Sequence, residues 1–207
     1  MRRMLLRAGA LAGAALLFIG LYLGYLRLSG NFHEVIAGEF YRSGQPTAAQ
    51  LADYVNRYGI KTVINLRGTS GDDWYSQEIA ESQRLGIRHV DFRMSARDQL
   101  SPERSKALIA IMRNAQKPIL VHCQAGSDRS GLASVIYLHQ IAKADEETAE
   151  RQLSLIYGHI GLPFLGPYAM DETWEGLERQ FALRTGESEI VGNLYAGGAE
   201  NDRDEHW

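Results

Sequence analysis

Thirteen residues, Ile119 to Gly131 (ILVHCQAGSDRSG), hold the residue types and spacing on which chemistry could be built. An apolar run ends at His122; Cys123 follows, then five residues, then Arg129, Ser130 and a helix-compatible stretch. A loop between a strand end and a helix start turns successive backbone N–H groups inward and forms an anion nest at the positive end of the helix dipole. Gly126 allows the backbone to approach an anion closely. A thiol at the head of that nest lies in a positive field that favours the thiolate. Arg129, in the first turn of the helix, can offer a planar fork to two phosphate oxygens. The chemistry this suggests is thiolate attack on a phosphomonoester, then hydrolysis of a cysteinyl-phosphate. The amides of Gln124, Ala125, Gly126, Ser127 and Asp128, with Arg129, would hold the phosphate. Ser130 would donate a hydrogen bond to the departing sulfur, and His122 would hold the loop backbone. Cys123 is the single cysteine, so neither an internal disulfide nor a cysteine-based metal site is available. No metal and no cofactor is expected.

The elements that position this loop follow from hydrophobic period and caps. Thr47 caps a helix to about Tyr58, which Gly59 stops. Residues 61–66 (KTVINL) form a buried strand by their β-branched content. A helix runs from Trp74 to Leu85, ended by Gly86, and a strand from Ile87 to Met94. Ser101-Pro102-Glu103 starts a helix to about Asn114. Pro118 to Val121 is a strand; helices follow from about Ser130 to Ala142, Asp145 to Tyr157 and Met170 to Leu183. Residues 31–45 read as a lead-in segment with turns. Strands alternating with helices imply an α/β fold with a mostly parallel central sheet flanked by helices.

His122-Cys123-x5-Arg129-Ser130 resembles the HCx5R[ST] signature of the protein tyrosine phosphatase superfamily. Together with Phe40-Tyr41-Arg42-Ser43-Gly44-Gln45-Pro46 and Lys61-Thr62-Val63-Ile64-Asn65-Leu66-Arg67, it looks like the compact bacterial dual-specificity branch, over roughly residues 38–160. The resemblance implies a cysteine-phosphatase fold and a general-acid aspartate on a mobile loop upstream of the signature. Asp98, in Met94-Ser95-Ala96-Arg97-Asp98-Gln99-Leu100, is preferred over Asp91, because a strand interior cannot swing over a substrate. The proline that often marks this loop in the family is missing here. Asp72 and Asp73 read as surface charges. Arg42 and Arg67 read either as extra phosphate ligands or, for Arg67, as half of a salt bridge that holds the loop after Leu66.

No residue between Cys123 and Arg129 is basic, and Asp128 opposes polyanions, so phosphotyrosine in a protein is the first expected substrate. A phospholipid or inositol phosphate is the alternative. A sulfurtransferase and a non-catalytic phosphopeptide-binding module are the readings from other classes.

Charge and hydropathy set the remaining expectations. The 207 residues carry 22 basic and 25 acidic groups, a net charge of −3 that gives no electrostatic reason to expect nucleic acid. Ala8 to Leu26 is 19 residues without a charge, roughly 28 Å as a helix. With Arg2, Arg3 and Arg7 before it, residues 1–30 read as an uncleaved signal anchor, favoured over a cleaved signal peptide. Residues 31–184 would then be a phosphatase domain on the extracytoplasmic (periplasmic) side of a single-pass, membrane-anchored protein, and 185–207 a flexible acidic tail.

Overall fold

The computed structural model describes residues 2–181, without the side chains of residues 2–6, 8, 10 and 12. The expected tail therefore lies outside the described residues. The elements in chain order are α1 (Arg2–Leu28), β1 (His33–Ile36), β2 (Phe40–Ser43), α2 (Ala48–Tyr58), β3 (Thr62–Asn65), α3 (Asp73–Leu85), β4 (Arg88–Asp91), α4 (Pro102–Asn114), β5 (Ile119–His122), α5 (Asp128–Gln140) and α6 (Glu146–Glu150). A further helix, α7, covers residues 169–181. The strands form one sheet in the order β1-β2-β5-β3-β4, parallel except for the antiparallel β1–β2 pair.

Strands β2, β5 and β3 at its centre are buried at every position. Their alternating side chains divide between two cores, as the two-residue period of a strand requires. Phe40, Ile64 and Val121 face the larger core, with Leu108, Met112, Leu132 and Ile136 from the helices. Tyr41, Val63 and Leu120 face the smaller one, which Leu51 and Tyr54 of α2 cover. Local signals set the helix ends. Thr47 and Gln50 form a reciprocal capping box, Ser101 accepts from the Arg104 N–H, and Gly59 and Gly86 close their helices in the left-handed conformation.

Four expectations need correction. Residues 31–45 contain a β-hairpin; β2 reads as a turn-rich segment but is wholly buried beside β5. The strand expected over 87–94 is regular only at Arg88–Asp91. The Phe92 and Met94 N–H groups still donate to Asn65 O and Leu66 O. The helix expected from Asp145 to Tyr157 stops at Glu150; the chain tightens to bonds three residues back at Gln152 and Leu153, and the buried Arg42 guanidinium takes the Gln152 carbonyl. Short-range pattern could not reveal that partner.

The last correction concerns α1. Among the described residues no helix is long and apolar enough to cross a membrane. The single-pass anchor at residues 8–26 and the extracytoplasmic placement are therefore withdrawn. Glycines at 9, 13, 20 and 24 and tyrosines at 22 and 25 weaken the apolar run. Its final turns are engaged with the rest of the molecule: Leu26 is buried, and the Tyr22 hydroxyl donates to Ile156 O at 2.6 Å.

Candidate active site

The cysteine loop leaves the sheet at the carboxyl end of its central strand and enters α5 at Asp128. Four consecutive loop carbonyls accept hydrogen bonds from outside the loop. Gln124 O accepts from the Gln45 N–H (3.3 Å), Ala125 O from Asn31 Nδ2 (2.9 Å), and Gly126 O and Ser127 O from Arg42 Nη2 (2.8 Å each). In a planar peptide the N–H points opposite to the C=O, so fixing these carbonyls outward aims the following amides into the loop's concave side. The Gly126 N–H reaches Cys123 Sγ at 3.3 Å, and Ser130 Oγ lies 3.5 Å from the same sulfur. Gly126 has φ +78°, and a Cβ there would stand 2.6 Å from Gly44 N and 2.8 Å from Ser43 C. Only glycine fits.

Arg42 is fully buried on β2. Besides the two loop carbonyls it donates through Nη1 to Gln152 O and Oε1 at 2.7 and 2.9 Å, and its guanidinium lies 4.4 Å above the Tyr157 ring. Burial pushes its pKa down to about 10, against the favourable charges of Cys123, Tyr157 and Asp128. Arg42 is a clamp on the outside of the loop, which corrects its reading as a phosphate ligand. Arg129 is arranged differently. Its Nη1 makes two long contacts, at 3.4 Å, to Leu66 O and Met94 O; among the described residues Nη2 makes none, and Nε, like Arg42 Nε, has no partner. A guanidinium whose terminal nitrogens are so little engaged can serve an incoming oxyanion.

Two polar clusters brace the loop. On one side, His122 Nε2 contacts Glu78 Oε1 at 3.0 Å, and His89 Nε2 meets the same oxygen at 2.6 Å, while Gln45 donates to Oε2. Burial works to raise the Glu78 carboxyl, but His122, His89 and Gln45 outweigh it and hold it at about 2. His122 thus stabilises the loop through a carboxylate; its Nδ1 has no partner, contrary to the expectation that the imidazole holds the loop backbone. On the other side, His159 bridges Asp128 Oδ1 (2.8 Å) and Asp171 Oδ2 (2.9 Å). Burial opposes its charge, yet the two carboxylates raise it to about 9. Asp128 therefore shares one imidazole with Asp171, and the proton His159 holds there partly offsets its expected opposition to polyanions.

The two candidate acids differ plainly. Asp91 accepts from Asn65 Nδ2 (2.8 Å) and the Tyr75 hydroxyl (2.5 Å), one on each carboxylate oxygen. Asp98 is exposed and makes no hydrogen bond or ion pair among the described residues. Its loop is moored behind it by the Leu100 N–H to Thr173 Oγ1 (3.0 Å). Asp72 accepts from Ser70 and Trp74, while Asp73 is an exposed first-turn residue of α3. Gln124 is exposed, Ala125 and Asp128 are half-buried, and Ser127 is buried.

Sequence reasoning missed Asn31, Gln45, Glu78, His89, Gln152 and His159. Only Glu78 left a signal: with Ser82 it puts polar side chains on the buried face of α3 at helical spacing.

The model of a family described as "DSP-PTPase phosphatase fused to NAD+ Kinase" matches residues 30–158. Several solved structures share the fold. Pseudomonas aeruginosa TpbA is 21% identical, over 72% of this chain and 85% of that one, with a TM-score of 0.57. PTPMT1 is 15% identical, over 73% and 98%, with a TM-score of 0.55. The catalytic domain of the Saccharomyces cerevisiae PP-IP phosphatase SIW14 is 20% identical, over 75% and 93%, with a TM-score of 0.52. No curated protein matches the sequence. Because the matched segment runs from the turn after α1 past the cysteine loop and over more than half the chain, this protein belongs to the DSP-PTPase family of cysteine-type phosphatases.

Proposed function

We propose that residues 31–184 hydrolyse phosphomonoesters through a cysteinyl-phosphate on Cys123, with phosphotyrosine in proteins as the first substrate. The observation that carries this reading is the loop itself: four carbonyls tied outward, the Gly126 N–H on the sulfur, and an Arg129 guanidinium with only two long contacts. The thiolate attacks phosphorus and the ester P–O bond breaks. Asp98 delivers a proton to the leaving oxygen. Water then attacks the cysteinyl-phosphate, its proton passes to Asp98, and the sulfur leaves with a hydrogen bond from Ser130. Amides 124–128 and the Arg129 fork hold the equatorial oxygens while charge spreads over them.

Phosphotyrosine is preferred because residues 124–128 contain no base, and a TpbA variant that shares the fold was solved with phosphotyrosine bound. A lipid or inositol phosphate is the second reading, favoured by the pairing of Asp128 with His159 and by the name of the SIW14 structure. The full chain should release phosphate from p-nitrophenyl phosphate and from phosphotyrosine peptides, and Cys123→Ser should abolish both. Turnover by Cys123→Ser equal to that of the parent would end the nucleophile assignment. Thiosulfate consumption without phosphate release would favour a sulfurtransferase. Phosphopeptide binding without turnover would favour a non-catalytic module. Parallel assays on a phosphoserine peptide, a phospholipid and an inositol phosphate rank the substrate classes.

A further inference from the structure

One cation at the rim is left over by this chemistry. Arg67 follows β3, where its N–H donates to Asn65 Oδ1 at 2.9 Å. Its guanidinium lies flat over the Trp74 ring, 3.6 Å from the centroid. Nη1 donates to Gln45 Oε1 at 2.9 Å. Gln45 in turn is joined to the cysteine loop through its own N–H and to Glu78 through its amide. Among the described residues no carboxylate forms an ion pair with Arg67, and Nε and Nη2 have no partner, so one edge of the fork is open. The salt bridge that the sequence allowed does not form. Asp72, the nearest acid in the following loop, is occupied by Ser70 Oγ and Trp74 Nε1 at 2.7 and 2.9 Å. Burial, then repulsion from Arg129, lowers the Arg67 pKa, which puts the two guanidiniums within each other's field on one side of the molecule.

A guanidinium stacked on an indole and held at one corner has lost most of its rotamer freedom before any ligand arrives. Little further ordering cost then remains for a bound anion. Arg129 is committed to the scissile phosphate. We propose that the open edge of Arg67 is a second anion subsite, which takes the carboxylate of an acidic residue flanking the phosphotyrosine. A single guanidinium matches a single carboxylate. A second phosphate would bring about two charges, and residues 124–128 offer no further base to meet them. This inference rests on the phosphatase reading above.

The test uses the full chain and two phosphotyrosine peptides, one with glutamate on both sides of the phosphotyrosine and one with glutamine there. The parent should prefer the acidic peptide in kcat/KM by about tenfold, and Arg67→Gln should erase that ratio. Arg67→Lys should keep part of it, as a point charge without the fork. Equal ratios in the parent and Arg67→Gln, or no preference in the parent, would overturn the subsite. A larger loss in Arg67→Gln for an inositol bisphosphate relative to its monophosphate would overturn the carboxylate assignment. Should Arg67→Gln fail to fold, the parent decides: its preference must shrink as salt rises, and a salt-insensitive ratio overturns the proposal. A parent inactive on both peptides and on p-nitrophenyl phosphate would instead remove the phosphatase reading, and the subsite with it.

Discussion

Arg42 and Arg129 serve the same loop with different hydrogen-bond accounts. Arg42 is fully buried and donates to Gly126, Ser127 and both oxygens of Gln152. Arg129 is half-buried, with two contacts at 3.4 Å through Nη1 and none through Nη2 among the described residues. Nε lacks a partner in both among the described residues, but short bonds fill both terminal nitrogens of Arg42, whereas Arg129 makes only two long ones. A buried cation whose terminal nitrogens the fold engages is scaffolding, and one whose terminal nitrogens are barely engaged is where a ligand belongs.

Substitutions can break this contrast. Arg42→Met should give the largest change, a loss of about 3–5 kcal/mol in urea unfolding, because the loop and Gln152 carbonyls lose their donors. Unchanged stability would show that Arg42 is no clamp. Arg129→Lys should leave the urea midpoint nearly unmoved and lower kcat/KM on p-nitrophenyl phosphate by about 10²–10³-fold. A stability loss as large as that of Arg42→Met would erase the distinction. Asp98→Asn sharpens the active side of the comparison. With a phosphotyrosine peptide kcat should fall by about 10²-fold, and less with the better leaving group of p-nitrophenyl phosphate. Equal losses on the two substrates would remove Asp98 as the proton donor.

On the scaffold side, acidity and alkalinity should act in opposite senses. His159 binds its proton more tightly folded than unfolded. Its contribution is present below pH 6.5 and is lost as pH rises toward 9. Glu78 is depressed in the fold, so its contribution is present above pH 4.5 and is lost as pH falls toward 2. Chemical denaturation between pH 6.5 and 9 should show declining stability in the parent and a flatter profile in His159→Gln. Identical slopes would remove His159 as the brace. The smallest effect belongs to Asn31→Ala, which removes the shared donor to Ala125 O and Tyr157 O and the oxygen that His33 Nε2 meets. It should cost about 1 kcal/mol in stability, read by thermal unfolding.

The reach of the sequence follows the same division. The active-site side was legible because its parts are neighbours in the chain: Cys123, Gly126, Arg129 and Ser130 lie within eight residues, and a strand end followed by a helix start dictates how their backbone must turn. Helix limits at Thr47, Gly59, Gly86 and Ser101 were legible for the same reason, since a cap acts within one turn. The scaffold side was not. Asn31, Arg42, Glu78 and His159 touch the loop or its histidine, and Gln152 meets Arg42, across separations of 31 to 110 residues, and no periodicity encodes such meetings.

By itself, then, the sequence determined that an anion loop with a sulfur at its head would form at the end of a buried strand. Tertiary structure alone decided which arginine is consumed by the fold and which remains open. It also decided that Asp128 is paired with His159 and that α1 ends against the domain. Those outcomes depend on which distant groups arrive at hydrogen-bond distance, and packing sets that only once the whole sheet is assembled.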